Sequence, residues 1–195
     1  MSILDTAVDI ASFLDEQEIP YAVIGGLAVQ YWGEARTTRD VDIVVLVSPD
    51  RIEGFLDAAV RRFKPRLQDA VSFAQTNRML LLSDAGGTPV DIALGIPGYE
   101  EEVIRRVVTV TLPNNHVIRL IGPEDLIIHK CIAGRPRDRE DIERILVRQR
   151  LSVDIDYIRQ WLGEFVDLIE DHDVVSIFES ALERASAELA QDTEA

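Results

Sequence analysis

The feature that most constrains this chain is a pair of glycines set between an apolar extended stretch and an apolar helical one. Tyr21-Ala22-Val23-Ile24 reads as a short buried strand, and Gly25-Gly26 turns it into a helical segment that ends near Gly33. Two residues without Cβ atoms at such a turn let the first backbone N–H groups of the helix approach a phosphate closely. An Arg/Thr-rich loop over 34–39 follows, then an apolar run over 40–47 that predicts a strand in the middle of a sheet. Asp40 and Asp42 occupy alternate positions at the start of that strand, so they project to one face and can share a divalent ion.

The remaining pattern supplies the frame. Leu4, Val8, Ala11, Phe13 and Leu14 predict a helix over 3–17, stopped by Pro20. Ser48-Pro49 reads as an N-cap and first-turn proline for a helix over 49–63 that buries Phe55, Leu56, Ala59, Val60 and Phe63. Strands over 78–83 and 89–94, joined by Asp84-Ala85-Gly86-Gly87-Thr88, form a hairpin. Its second strand carries Asp91 on the face opposite Val90, Ile92 and Leu94, and Pro89 suggests that this strand is an edge. A short helix over 98–106 precedes an extended pair, 107–112 and 116–121, around Pro113-Asn114-Asn115.

From Gly122 onward the pattern is helical, over 123–133, 138–148, 154–169 and 173–190. The last of these carries Val174, Ile177, Phe178, Ala181, Leu182 and Leu189, which close the core or meet a partner. The expected class is therefore α+β: a small mixed β-sheet core flanked by helices over residues 1–121, with an all-helical part over 122–195 packed on it.

Asp91 gives the paired aspartates a third acid. Three carboxylates at one place on a sheet are what two Mg²⁺ ions need to hold a triphosphate and activate an attacking hydroxyl. Gly25-Gly26 followed by Arg36-Thr37-Thr38-Arg39-Asp40-Val41-Asp42 resembles the signature of the polymerase-β-like, or minimal, nucleotidyltransferases. The closest likeness is to the prokaryotic branch that includes the AbiEii-type abortive-infection and toxin-antitoxin proteins. The resemblance implies a nucleotidyltransferase core in which Gly25 and Gly26 bind the phosphates and Asp40, Asp42 and Asp91 bind metal. Arg36 matches the basic residue that precedes the acids. The run from Glu124 to Arg135, containing Lys130, and the run from Arg137 to Ile142 are similar to later motifs of that branch, in which a lysine contacts the nucleotide and an acid follows a basic loop. Asp138 and Asp141 are both candidates for that acid. Lys130 is one of only two lysines in the chain. His129 and Cys131 flank it and read as a partly buried histidine and a core thiol, and Tyr31 and Trp32 read as core residues of the second helix.

Charge narrows the acceptor. At a formal −15, the 195-residue chain is poorly suited to broad nucleic-acid binding, and no duplex DNA partner is expected. The positive charges are mostly arginine and fall in two groups, Arg61-Arg62-Lys64-Arg66 and the arginines between 135 and 150; such runs read first as solvated helix faces and second as local guidance for an anionic substrate. A single cysteine and the lack of any apolar run of roughly 18 residues point to the cytoplasm, with no membrane span and no export signal at the start. The expected function is transfer of a nucleoside monophosphate from an NTP, with Mg²⁺ or Mn²⁺, to a hydroxyl of RNA or tRNA, protein or a small molecule, as a toxin-antitoxin or abortive-infection component. The alternative is a catalytically silent module of the same fold acting through a cognate toxin or antitoxin protein. A cationic aminoglycoside, as in antibiotic-modifying relatives, fits the bulk charge better than RNA does.

Overall fold

Ser2 closes the first turn of helix α1 (Ile3–Glu16) in both directions. Its hydroxyl accepts the Asp5 N–H at 3.2 Å, and the Asp5 carboxylate accepts the Ser2 N–H at 2.8 Å. The computed structural model describes residues 2–112, 115–169 and 173–194, so Pro113 and Asn114 of the expected turn lie outside the described residues. Two units are distinguished, Met1–Leu27 with Thr37–Ile121 and Ala28–Arg36 with Gly122–Ala195. No helix among the described residues is long and apolar enough to cross a membrane.

The first unit is built on a seven-stranded mixed sheet. Its strands are β1 (Tyr21–Val23), β2 (Val41–Val45), β3 (Lys64–Pro65), β4 (Met79–Ser83), β5 (Pro89–Leu94), β6 (Val108–Thr111) and β7 (Val117–Leu120), in the order β3-β4-β5-β2-β1-β7-β6. The apolar run of β2 does place it centrally, antiparallel to β1 and parallel to β5. β4 and β5 form the expected hairpin, with Leu81 opposite Asp91. Pro89 does not mark an edge: β5 lies between β4 and β2, and the proline is its first residue, where a missing N–H is tolerated. Strand alternation holds along β5, with Val90, Ile92 and Leu94 buried and Asp91 partly exposed.

Helix α3 starts at Ile52 (Ile52–Arg62), not at Pro49. Ser48 instead accepts the Arg51 N–H at 2.9 Å through its carbonyl, which makes a turn of the segment read as a cap. Phe55, Leu56 and Ala59 are buried, and Phe13 of α1 meets Phe63 edge to face at 5.4 Å. Helix α4 (Ala70–Asn77), between β3 and β4, has no counterpart in the sequence pattern: only Ala70 and Ala74 are buried, so no broad apolar stripe announces it. Helix α5 (Tyr99–Arg105) precedes the β6–β7 pair.

Helix α2 (Gly25–Trp32) begins in the first unit and continues into the second. The second unit otherwise consists of α6 (Pro123–Ala133), α7 (Pro136–Arg148), α8 (Ile155–Ile169) and α9 (Asp173–Glu194). Gly134, in the left-handed region at φ +62°, ends α6 by donating its N–H to the Lys130 carbonyl at 3.0 Å, and Pro136 then opens α7 two residues earlier than its apolar spacing suggests. Val174, Ile177, Phe178 and Ala181 of α9 are buried, so this helix closes the core of its own unit. Tyr31 is not a core residue; it is 46% exposed and stands edge-on to Trp32.

Candidate active site

The glycine turn of the first unit is held against two side chains. Gly25, the first residue of α2, has φ +61°, and a Cβ there would fall 2.0 Å from Asp42 Oδ2. At Gly26 a Cβ would fall 2.2 Å from Thr38 Oγ1. Only glycine allows this approach, and it brings the N-terminal end of α2, whose first N–H groups have no intrahelical acceptor, flush with the carboxylate-bearing strand. The Ile24 N–H donates to the Asp42 carbonyl at 2.9 Å and fixes the turn to β2.

The β2–β5 register brings the acids together. Asp42 and Asp91 are direct partners across this parallel pair, both are partly exposed between buried neighbours, and they therefore share a face. Asp40 lies two residues before Asp42, and its Oδ1 accepts the Thr38 hydroxyl at 2.9 Å. Asp91 is ion-paired with Arg66. Burial pushes the Asp91 carboxyl above its ordinary range; the Arg66 guanidinium pulls it down, and the Asp40 charge pushes it up again. The Asp40 charge thus reaches Asp91.

Among the described residues, no group of three or more His, Cys, Asp or Glu side chains is already gathered in ion-holding positions. The donor chemistry fits a hard divalent cation: all-oxygen ligands on adjacent strands, beside a helix end cleared of side chains by Gly25 and Gly26. Within the chain, Asp40 accepts from Thr38 and Asp91 pairs with Arg66. Nothing local in the sequence marks Thr38 or Arg66 for these roles: Arg66 is one cation in a run of four, beside Pro65.

The other candidate residues form a second group, within the second unit. Lys130, near the end of α6, is buried; its Nζ lies 2.7 Å from Asp138 Oδ1 and 2.8 Å from Asp141 Oδ2. Asp138 and Asp141 are three apart on α7 and so lie on the same side of that helix. Arg36 pairs with Asp141, Nη2 donating to Oδ2 at 3.0 Å while the buried Nε lies 2.9 Å from Oδ1 without making a hydrogen bond, and Arg135 Nε stands 3.1 Å from Asp138 Oδ2. The Arg36 carbonyl accepts from Gln30 Nε2 at 2.6 Å, which ties the loop to α2. Both candidate acids therefore belong to one ion-pair network, and Lys130 is enclosed by it. Arg36 and Asp141 line a cavity of about 360 Å³, together with Glu34, Arg137, Glu140 and Arg144.

The residues beside Lys130 have the characters expected of them. Burial pushes the Cys131 thiol up to about 12, with the Asp138 charge adding to it. Loss of solvation, and then the Lys130 charge, lowers the His129 imidazole to about 4.

Comparison with known proteins concerns the family and the fold of the chain. A family model described as nucleotidyltransferase of unknown function (DUF6036) matches residues 2–185. No curated protein sequence matches the chain. Among solved structures, an antigenic nucleotidyltransferase-like protein from Paracoccidioides brasiliensis is similar at 20% identity and a TM-score of 0.50, over 90% of this chain and 91% of the other. The structure of ANT(2″)-Ia in complex with adenylyl-2″-tobramycin is similar at 17% identity and a TM-score of 0.51, over 85% of this chain and 97% of the other. The solution structure of the antibiotic-resistance factor ANT(2″)-Ia is similar at 15% identity and a TM-score of 0.50, over 98% and 96% respectively. At these identities the likeness concerns the fold.

Proposed function

The chain belongs to the DUF6036 family of nucleotidyltransferases, and on that premise we propose that it moves a nucleoside monophosphate from an NTP to an acceptor hydroxyl, dependent on Mg²⁺ or Mn²⁺. The observation that carries this reading is the β2–β5 register, which sets Asp42 opposite Asp91 while the start of α2 lies flush with Asp42.

Asp40, Asp42 and Asp91 are the residues assigned to the ions. When bound, these ions supply neutralisation of the triphosphate charge and acidification of the attacking hydroxyl. The N–H groups around Gly25 and Gly26 receive the phosphate oxygens. The acceptor oxygen attacks the α-phosphorus in line, its proton passes to Asp91, and the bond to the bridging oxygen breaks to release pyrophosphate. The rate gain is mainly positioning and charge stabilisation. In the second unit, Arg36, Lys130, Asp138 and Asp141 are assigned to the nucleotide; Arg36 lines the cavity and is paired with Asp141, which also lies beside Lys130.

The Arg36–Asp42 motif supports the AbiEii-type placement and, with it, a toxin-antitoxin or abortive-infection role beside a cognate protein. The single cysteine supports a cytoplasmic setting. A net charge of −15 favours a small cationic acceptor over tRNA. Purified protein with labelled NTPs, Mg²⁺ and a panel of acceptors including bulk tRNA and aminoglycosides tests the reading. Transfer to one of them, abolished in Asp42→Asn with the fold retained, is the expected result. No transfer to any acceptor, together with no NTP binding by calorimetry, would sink it.

A silent regulatory module is the second reading, and the in-chain partners of Asp40 and Asp91 favour it. Thermal-shift measurements separate the two. Stabilisation by Mg²⁺-NTP that vanishes in Asp40→Asn supports the enzyme, whereas no response alongside a tightly co-purifying protein supports the module.

A further inference from the structure

Arg66 reaches the third carboxylate from two strands away along a single row of the sheet. Its backbone N–H donates to the Leu81 carbonyl at 3.0 Å, Leu81 is the register partner of Asp91, and Asp91 is the register partner of Asp42. The guanidinium crosses Leu81 and pairs with Asp91 Oδ1. This is a pairing of built elements: residues just before Arg66 form β3, locked to β4 at Lys64↔Ser83 and Pro65↔Leu82. Both partners remain accessible, with the Arg66 side chain 32% and the Asp91 side chain 29% exposed, so the pair is open to competition from solvent ions.

We propose that Arg66 is a positioning residue that acts through Asp91: an internal counter-cation that holds the third carboxylate until a divalent ion takes it, and then passes to the triphosphate. The proposal rests on the nucleotidyltransferase reading above. A carboxylate already satisfied by a guanidinium binds a further cation less well, so ion capture at Asp91 is an exchange of one cation for another. The released guanidinium stays tethered at Leu81 and next to the same face of the sheet. Its planar fork fits phosphate oxygens as well as it fits a carboxylate, and a triphosphate arriving with the ion presents them. Ion and nucleotide binding are thereby coupled, since each supplies the new partner for a group that the other exchange leaves behind.

This coupling predicts shifts of opposite sign, which loss of a merely structural ion pair would not give. Titration calorimetry with Mn²⁺ alone, and then with a non-hydrolysable ATP analogue at saturating Mn²⁺, is to be run on the wild type, Arg66→Gln, Arg66→Lys and Asp91→Asn. Arg66→Gln should bind Mn²⁺ roughly tenfold more tightly and the analogue roughly tenfold more weakly, the scale of one charge-assisted hydrogen bond. Arg66→Lys, which keeps the charge and loses the fork, should keep Mn²⁺ affinity within about threefold of the wild type and still bind the analogue more weakly. It also serves as the test variant should Arg66→Gln fail to fold. Asp91→Asn should lose the ion. The proposal is overturned if either shift is missing or reversed while Asp91→Asn still loses the ion. If no variant, nor the wild type, binds Mn²⁺ through Asp91, the nucleotidyltransferase reading falls together with it.

Discussion

Lys130 Nζ and Asp138 Oδ1 are 2.7 Å apart with both residues buried, and the same ammonium group lies 2.8 Å from Asp141. One cation thus joins two buried carboxylates on adjacent turns of α7. Removing it still leaves Arg36 beside Asp141 and the exposed Arg135 beside Asp138. Lys130→Met should therefore cost about 1–3 kcal/mol of stability, the scale of removing a charge-assisted partner from buried acids that keep others. Urea unfolding followed by circular dichroism measures it, and adding Asp138→Asn to Lys130→Met should recover part of the loss.

Gly25→Ala places a Cβ 2.0 Å from Asp42 Oδ2 in a residue that already sits at φ +61°. Left-handed backbone strain of about 1–2 kcal/mol adds to the displacement of Asp42. The expected outcome is a lower melting temperature and a loss of stabilisation by Mg²⁺-ATP, read in one thermal-shift series. Gly54→Ala is the control, because it lies inside α3 with nothing within 4 Å of the new methyl group. It should leave the nucleotide response unchanged and add up to about 1 kcal/mol of stability.

His129 has its imidazole lowered from 6.5 to about 4 in the folded chain. Between those values the unfolded chain binds a proton that the native chain does not, so stability rises with pH across the window. The contribution is fully present above 6.5 and is lost progressively as the pH falls towards about 4, amounting to at most about 3 kcal/mol. Melting temperatures of the wild type and His129→Gln between pH 4 and 7 should diverge accordingly, with the variant showing the shallower acid slope. Equal slopes would show that His129 takes up its proton alike in both states.

What the sequence disclosed follows from the range of the interactions concerned. The glycine turn, the alternation around Asp91 and the helical periods of α6 to α9 are written in near neighbours, and each lies where its spacing places it apart from helix ends, α7 opening two residues early and α9 running on to Glu194. Ser48-Pro49 also has a local signature, yet the chain uses it for a turn, because the buried residues of α3 begin only at Phe55. Helix α4 is quiet for the opposite reason: it buries two alanines and ends at Arg78 with φ +54° instead of at a glycine. Lys130 is a lysine on an amphipathic helix, a pattern that suggests a side chain reaching for solvent; the two acids that enclose it come from the next helix. Arg66 is unreadable in the same way, since its partner Asp91 is reached only through the strand order β3-β4-β5.

The parallel pairing of β2 with β5 also has a kinetic side. Asp40 and Asp42 precede the chain that forms α3, β3, α4 and β4, and Asp91 follows it. A pairing that must close so long an excursion belongs to the slow part of folding, after the β4–β5 hairpin and the individual helices. A slip of one residue in that pairing would turn Asp91 to the opposite face from Asp42 and Val90 or Ile92 out of the core. The buried alternation of β5 is thus a proofreading device: the register that buries the valine and isoleucine is the register that aligns the acids.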